Sequence, residues 1–348
     1  MKDELFQNNT NGNNILFKSN PQDIEFFNDL IEESYADHTL ENTFCVFKSF
    51  NKIYYLIYAN EKNTIIAYDI IHNKKINQII KAHENYITNI RYYLDSLNQR
   101  DLVISISADD NTVKLWNILN FECMLNLNQV NKKGCLYSAC LLNYKNNIYI
   151  ITSNSNLKAE PIKIYDLTGK HIKTIKNNKD SVYFIDIYYD INLSKIYLLI
   201  GSQGYVGSYD YIKDEFYHIY RDNNNECHDS IIIHDKNEIV KLIESSKDGK
   251  IRIYNFNTGE FLKKIRVSKL YLVSICLWNK DYIFAACGDK FIKLVEINNG
   301  DIIKKLDGHQ NSVTTIKKII HPIYGECLIS QGYENDRIKL WINKNQIY

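Results

Sequence analysis

An excess of charge of either sign is missing from this sequence, since 42 Lys and Arg stand against 41 Asp and Glu. No strongly basic balance points to nucleic acid. Long apolar runs are missing too. Ile196 to Ile200 and Ile53 to Ala59 are typical, far below the ~20 residues that span a bilayer. The expectation is a soluble chain without a membrane partner. The start, Met1-Lys2-Asp3-Glu4, carries acids where a signal peptide has bases and an apolar core. There are eight cysteines and nine histidines but no Cys-x-x-Cys and no His-x-x-x-His, so the ligand spacing of a zinc site is lacking. Cys276 and Cys287 sit in apolar runs, where a thiol is a small core residue. A reducing interior, cytoplasmic rather than nuclear, is the expected compartment. Proline is nearly absent, with Pro21, Pro161 and Pro322 alone, and helical periodicity is missing beyond residue 44.

What is present is strand material. Short β-branched and aromatic runs are broken by Asn, Asp, Gly and Lys every 8 to 12 residues, the pattern of an all-β sandwich, barrel or propeller. A recurring unit separates these three. The pattern apolar-x-apolar-aromatic-polar opens at Ile65, Val113, Ile162, Val206, Ile251, Ile292 and Ile338, with its fourth position at Tyr68, Trp116, Tyr165, Tyr209, Tyr254, Val295 and Trp341. The intervals are 48, 49, 44, 45, 41 and 46 residues. A period of 40 to 50 residues holding about four short strands is one propeller blade. Seven units predict an all-β fold, a seven-bladed propeller over 44–348.

The best units read Ala82-His83, Ser105, Asp109-Asp110, Trp116-Asn117 and Gly308-His309, Ser330, Asp336, Trp341-Ile342. In these the chain resembles the WD-repeat family. Asp248 and Asp289 keep only the turn acid of the motif, and Tyr or Val replaces Trp in five of the seven units. The resemblance implies that His83, Ser105, Asp109 or Asp110, and Trp116, with His309, Ser330, Asp336 and Trp341, form hydrogen-bonded chains within their blades. Such residues are structural, because buried polar groups need partners whatever the function.

Seven residues follow Trp341, too few for a fourth strand, so the N-terminal segment 1–43 is expected to close the ring, with Asn13 to Lys18 as the strand. Asn20 as N-cap, Pro21, early acids and the stripe Ile24, Phe27, Leu30, Ile31 and Tyr35 predict a short helix over 21–35. Segment 1–43 carries a charge of −7 and the remainder +8. The acidic helix either packs on the propeller or docks a partner.

Signatures of chemistry are absent from the letters: no nucleophile elbow, phosphate loop or His-Glu-x-x-His helix occurs. Gly201 to Gly207 reads as a tight β-turn, not a dinucleotide loop, and Arg221 to His228 as a connection between blades. Lys114, Lys163, Arg252, Lys293 and Lys339 share one alternating register, so they do not mark a nucleic-acid groove. No Arg-Arg pair of the phosphoinositide-binding propellers and no Trp-Asp-x-Arg of ubiquitin-ligase receptors occurs. The expected role is a non-enzymatic protein-interaction scaffold, a subunit or adaptor of a complex, with protein partners and no cofactor or metal. The alternatives are a propeller enzyme with paired acids at the channel mouth, or a ubiquitin-ligase substrate receptor. The family resemblance places partner contacts where each first strand begins: Tyr86 and Thr88, Ser312 and Thr314, and by alignment Tyr137, Tyr183 and Tyr271. Tyrosine is a residue type expected at interaction hot spots.

Overall fold

A computed structural model of the chain describes residues 19–31, 34, 43–128, 135–155, 161–176, 181–222, 224–235, 239–334 and 336–346. Its strands form seven four-stranded antiparallel sheets. Blades one to six occupy 44–79, 87–127, 136–175, 182–220, 227–266 and 272–306, each a meander of strands a to d. Blade seven takes Val313–His321, Gly325–Gly332 and Ile338–Asn343 as a, b and c. The repeated pattern lies on strand c of every blade, as in Thr112–Asn117 and Ile338–Asn343. Its alternation follows from the period-2 pleat: Val113 and Leu115 are buried, while Lys114 between them is not.

The ring closes through its core. Seven apolar clusters each straddle two neighbouring blades, and one joins Ile319, Ile329 and Leu340 of blade seven to Val46, Leu56 and Tyr58 of blade one. No blade could bury both faces alone; stacking removes them from water, the dominant stabilising term here.

The outer strand of blade seven is N-terminal, as expected, but it is Ile24–Ile31, paired antiparallel with Ile338–Asn343. The strand expected at 13–18 lies outside the described residues. The helix expected over 21–35 is corrected: Pro21–Asp23 is a single 3-10 turn, and the strand follows at once. The helix-start signals are physically present, since Asn20 Oδ1 accepts the amide of Gln22 at 3.2 Å. The periodicity misleads because register shifts fall between Phe26 and Asn28 and between Asp29 and Ile31. Each bulge inserts a residue, so the apolar residues recur at spacings of three and four, like a helix. The unpaired edge of Ile338–Asn343 then outweighs local propensity. The acids of this strand are used within the chain: Asp29 bonds Lys339 at 2.6 Å and Arg337 at 2.5 Å, and Glu25 pairs with Lys344 at 3.4 Å.

Candidate interaction face

Two blades carry complete polar chains. In blade seven the Trp341 indole N–H donates to Ser330 Oγ at 2.7 Å, which lies 2.6 Å from His309 Nε2, while His309 Nδ1 is 3.0 Å from Asp336. Burial lowers the His309 pKa, outweighing Asp336. The imidazole is therefore neutral: Nδ1–H donates to the carboxylate and Nε2 accepts the serine proton. In blade two Trp116 donates to Ser105 at 2.8 Å, and Ser105 lies 2.7 Å from His83 Nε2. Thr112 is interposed there, 2.7 Å from His83 Nδ1, with Asp110 beyond it. Asp109 is exposed, so Asp110 is the turn acid. Burial pushes the Asp110 carboxyl up, but bonds from His83 and Thr112 hold it at about 2.

Blade five replaces this chain with ions. Glu244, 0% exposed, stands opposite Arg252 on strands b and c, as Ser330 stands opposite Lys339. The Arg252 guanidinium, 2% exposed, reaches Asp248 at 2.7 Å, Glu244 at 3.4 Å and Asp222 Oδ2 at 3.2 Å. Cys227 Sγ donates to Glu244 at 3.2 Å. Burial drives the Glu244 pKa up to about 7, against the Cys227 bond and the attraction of Arg252. In blade six Asp289 bonds Lys293 at 2.5 Å and accepts from Ser268 at 3.2 Å.

Three of the residues that share a register, Lys114, Arg252 and Lys293, prove to be clips. Lys114 Nζ donates to Ala82 O at 2.6 Å and Lys293 Nζ to Val267 O at 3.0 Å, while Arg252 Nε donates to Asp222 O at 2.9 Å. Each acceptor lies five residues before strand a of its blade. Lys339 serves the closing strand instead, through Asp29. The recurring basic residue two before the aromatic was the signal for this role.

Strand a of blades two to seven opens with the same irregularity. Ile87, Leu136, Val182, Cys227, Leu272 and Val313 pair with strand b, then a bulge skips the next residue. The expected contact residues therefore occupy two tiers. Tyr86, Tyr271 and Ser312 precede the strand, whereas Thr88, Tyr137, Tyr183 and Thr314 occupy the bulge. Thr88, 4% exposed, donates to Ile106 O, and Thr314, 0% exposed, donates to Gln331 O. These two are corrected to interior positions: at the bulge a threonine turns its hydroxyl onto strand b, while a tyrosine is too large to follow.

Tyr137 and Tyr183 stack at 5.2 Å, and Tyr183 continues to His228 of blade five at 6.3 Å. His228 was missed by the sequence reading, although it holds the same bulge position. Burial lowers its pKa to about 4, leaving a neutral ring. Tyr271 Oη and Ser312 Oγ are 2.8 Å apart, a separate pair. Tyr86 is 44% exposed, one position before strand a of blade two. The structure thus makes an aromatic run across blades three to five and a polar pair at blades six and seven.

The inner strands are tied across one another. Arg91 of blade two reaches over blade three to Ile185 O at 2.6 Å and lies 3.8 Å from Asp186. Asp229 of blade five accepts the amide of Ile275 at 2.9 Å. Among the described residues no three His, Cys, Asp or Glu side chains gather to hold a metal, and no helix is long and apolar enough to cross a membrane.

Residues 74–117 match the family model described as WD domain, G-beta repeat. The chain is 31% identical over 96 residues to a WD repeat domain-containing protein 83 homolog of Dictyostelium discoideum, covering 28% of this chain and 29% of that protein. It is 28% identical over 74 residues to a U3 small nucleolar RNA-associated protein 21 homolog of Schizosaccharomyces pombe, covering 21% and 8% respectively. The aligned stretches thus span well under half of either relative. With seven blades, two complete His–Ser–Trp chains and this match over blade two, the chain is a WD-repeat β-propeller.

Proposed function

We propose that the chain is a non-catalytic protein-interaction scaffold, a subunit or adaptor of a larger complex, that engages partners on the face where the inner strands begin. The observation that carries this reading is the tyrosine run itself. Tyr137 and Tyr183 are half-buried on rigid inner strands, with Tyr86 exposed on the same face. Large, pre-ordered amphipathic rings lose little entropy when a partner covers them. Two acids of the inner strands, Asp186 and Asp229, already face Arg91 and the Ile275 amide, which favours binding over acid-base chemistry. All eight cysteines are thiols, consistent with a reducing compartment, proposed to be the cytoplasm. The RNA association in one relative's name belongs to that protein, of which the match covers 8%.

The test is affinity capture from the native cell with the whole chain, against a variant with Tyr86, Tyr137, Tyr183 and Tyr271 all changed to Ala. The variant is expected to keep its far-ultraviolet circular dichroism and lose captured proteins. An unchanged set of captured proteins, or loss of the folded state, would overturn the reading.

A further inference from the structure

We infer that the cleft between blades four and five on this face is a binding site for an acidic side chain of a partner polypeptide, recognised by Arg221. The inference rests on the scaffold reading and names the chemistry of one contact. The cleft holds about 510 Å³ and is lined by Gln203, Gly204, Arg221, Asp222 and Asn224. Its two walls are the b-to-c turn of blade four and the connection into blade five, and they are stapled together. Gln203 Nε2 donates to Asn224 O at 2.9 Å, and the Gly204 amide donates to Asn225 O at 2.9 Å. Gly204 has φ +82°, which lets the turn place its amide there.

Arg221 is the unbalanced charge of this cleft. Its guanidinium lies over the ring of buried Tyr205 at 5.3 Å, which holds it without neutralising it. Among the described residues no carboxylate pairs with it. The two acids nearest in sequence are taken: Asp222 receives Lys264 at 2.8 Å and Arg252 at 3.2 Å, and Glu226 receives Lys247 at 3.0 Å. The backbone at Asp222 is also fixed, because the buried Arg252 donates to its carbonyl at 2.9 Å. A planar, pre-positioned guanidinium with no internal partner favours a carboxylate in two-point contact. Tyr183 Oη donates to Gln203 Oε1 at 3.3 Å, so the aromatic run adjoins the wall of the cleft. The occupant is therefore a segment with an aspartate or glutamate beside an apolar residue, the acid on Arg221 and the apolar group on Tyr183 and Tyr137.

The probe is a phage-displayed library of random twelve-residue peptides selected on the immobilised whole chain, wild type, R221E, R221K and Y183A. Wild type is expected to enrich Asp or Glu next to an apolar residue. R221E should lose that enrichment, and R221K should keep it weakly. A selected peptide, followed by fluorescence anisotropy, should bind R221A about tenfold more weakly, as for a charge-assisted hydrogen-bonded pair, and its affinity should fall with added salt. Acidic enrichment that survives in R221E, or selected peptides that are neutral or basic, would overturn the inference. Should those neutral peptides be lost with Y183A, the scaffold reading stands without it. A wild-type chain that selects no peptide and captures no protein from cells would overturn both.

Discussion

Replacing Glu244 with glutamine tests whether blade five buries a carboxylate or a carboxylic acid. The group is 0% exposed, and burial raises its pKa from the ordinary 4.5 to about 7 although Arg252 lies 3.4 Å away. The folded protein then holds a proton between these two values that the unfolded chain has released. Stability contributed by this proton is complete below pH 4.5 and falls by about 1.4 kcal/mol per pH unit, to be gone above pH 7, a total of about 3 kcal/mol. Glutamine fits the same volume and cannot ionise, and Arg252 keeps Asp248 and Asp222. The unfolding free energy of wild type minus that of E244Q should therefore decline by about 3 kcal/mol between pH 4.5 and 8. Urea unfolding followed by the fluorescence of Trp116, Trp278 and Trp341 measures it, and groups common to both chains cancel. A difference that stays constant across this range would refute the reasoning, showing the carboxylate ionised throughout and held by Arg252.

Two further outcomes follow from the polar chains and the closure. S330A strips Trp341 Nε1–H and His309 Nε2 of their shared partner in a fully buried site, at an expected cost of about 2–4 kcal/mol; a change below about 0.5 kcal/mol in thermal unfolding would contradict it. Burial raises the Asp29 pKa, but bonds from Lys339 and Arg337 lower it below the ordinary 3.8. Its contribution is thus present above pH 3.8 and lost as pH falls through the lowered value. D29N should cost about 1–3 kcal/mol at neutral pH and speed proteolysis ahead of Ile24, while an unchanged cleavage rate would mean that the strand is held by its backbone pairing alone.

The propeller was legible because strand c of every blade repeats one apolar alternation, in five blades around a basic residue. Val113-Lys114-Leu115-Trp116 and Ile338-Lys339-Leu340-Trp341 repeat a pattern that the interface between blades demands, so its metre survives any change in the loops. The closing strand was not legible, because two bulges in eight residues gave Ile24, Phe27 and Ile31 a helical spacing. The tyrosines singled out for this face could be chosen by type but not placed by register. Letters place Tyr86 and Tyr137 at equivalent positions, whereas the bulge after Ile87 and after Leu136 separates them into two tiers. Bulge positions depend on how strand b pairs, which no local pattern records.

The decay of the motif in five blades has the same physical root. Opposite the basic position of strand c, strand b carries Ser105 and Ser330 in blades two and seven, but Tyr58, Thr152, Ile200, Glu244 and Ala285 elsewhere. Only in blades two and seven does strand c supply an indole N–H that needs an acceptor. Once Trp becomes Tyr or Val, the serine has no donor to satisfy, and the position is free to take any group that fills the volume or finds its own partner. Blade four shows the first course: Ile200 faces Gly207, and the Phe216 ring comes within 2.8 Å of where a Gly207 side chain would begin. Blade five shows the second, with Glu244 supplied with Arg252 and Cys227. The carbonyl clips persist where the serine does not, in Arg252 and Lys293 as in Lys114. In blades two, five and six they tie the blade to the segment that enters it, whether or not a tryptophan is present.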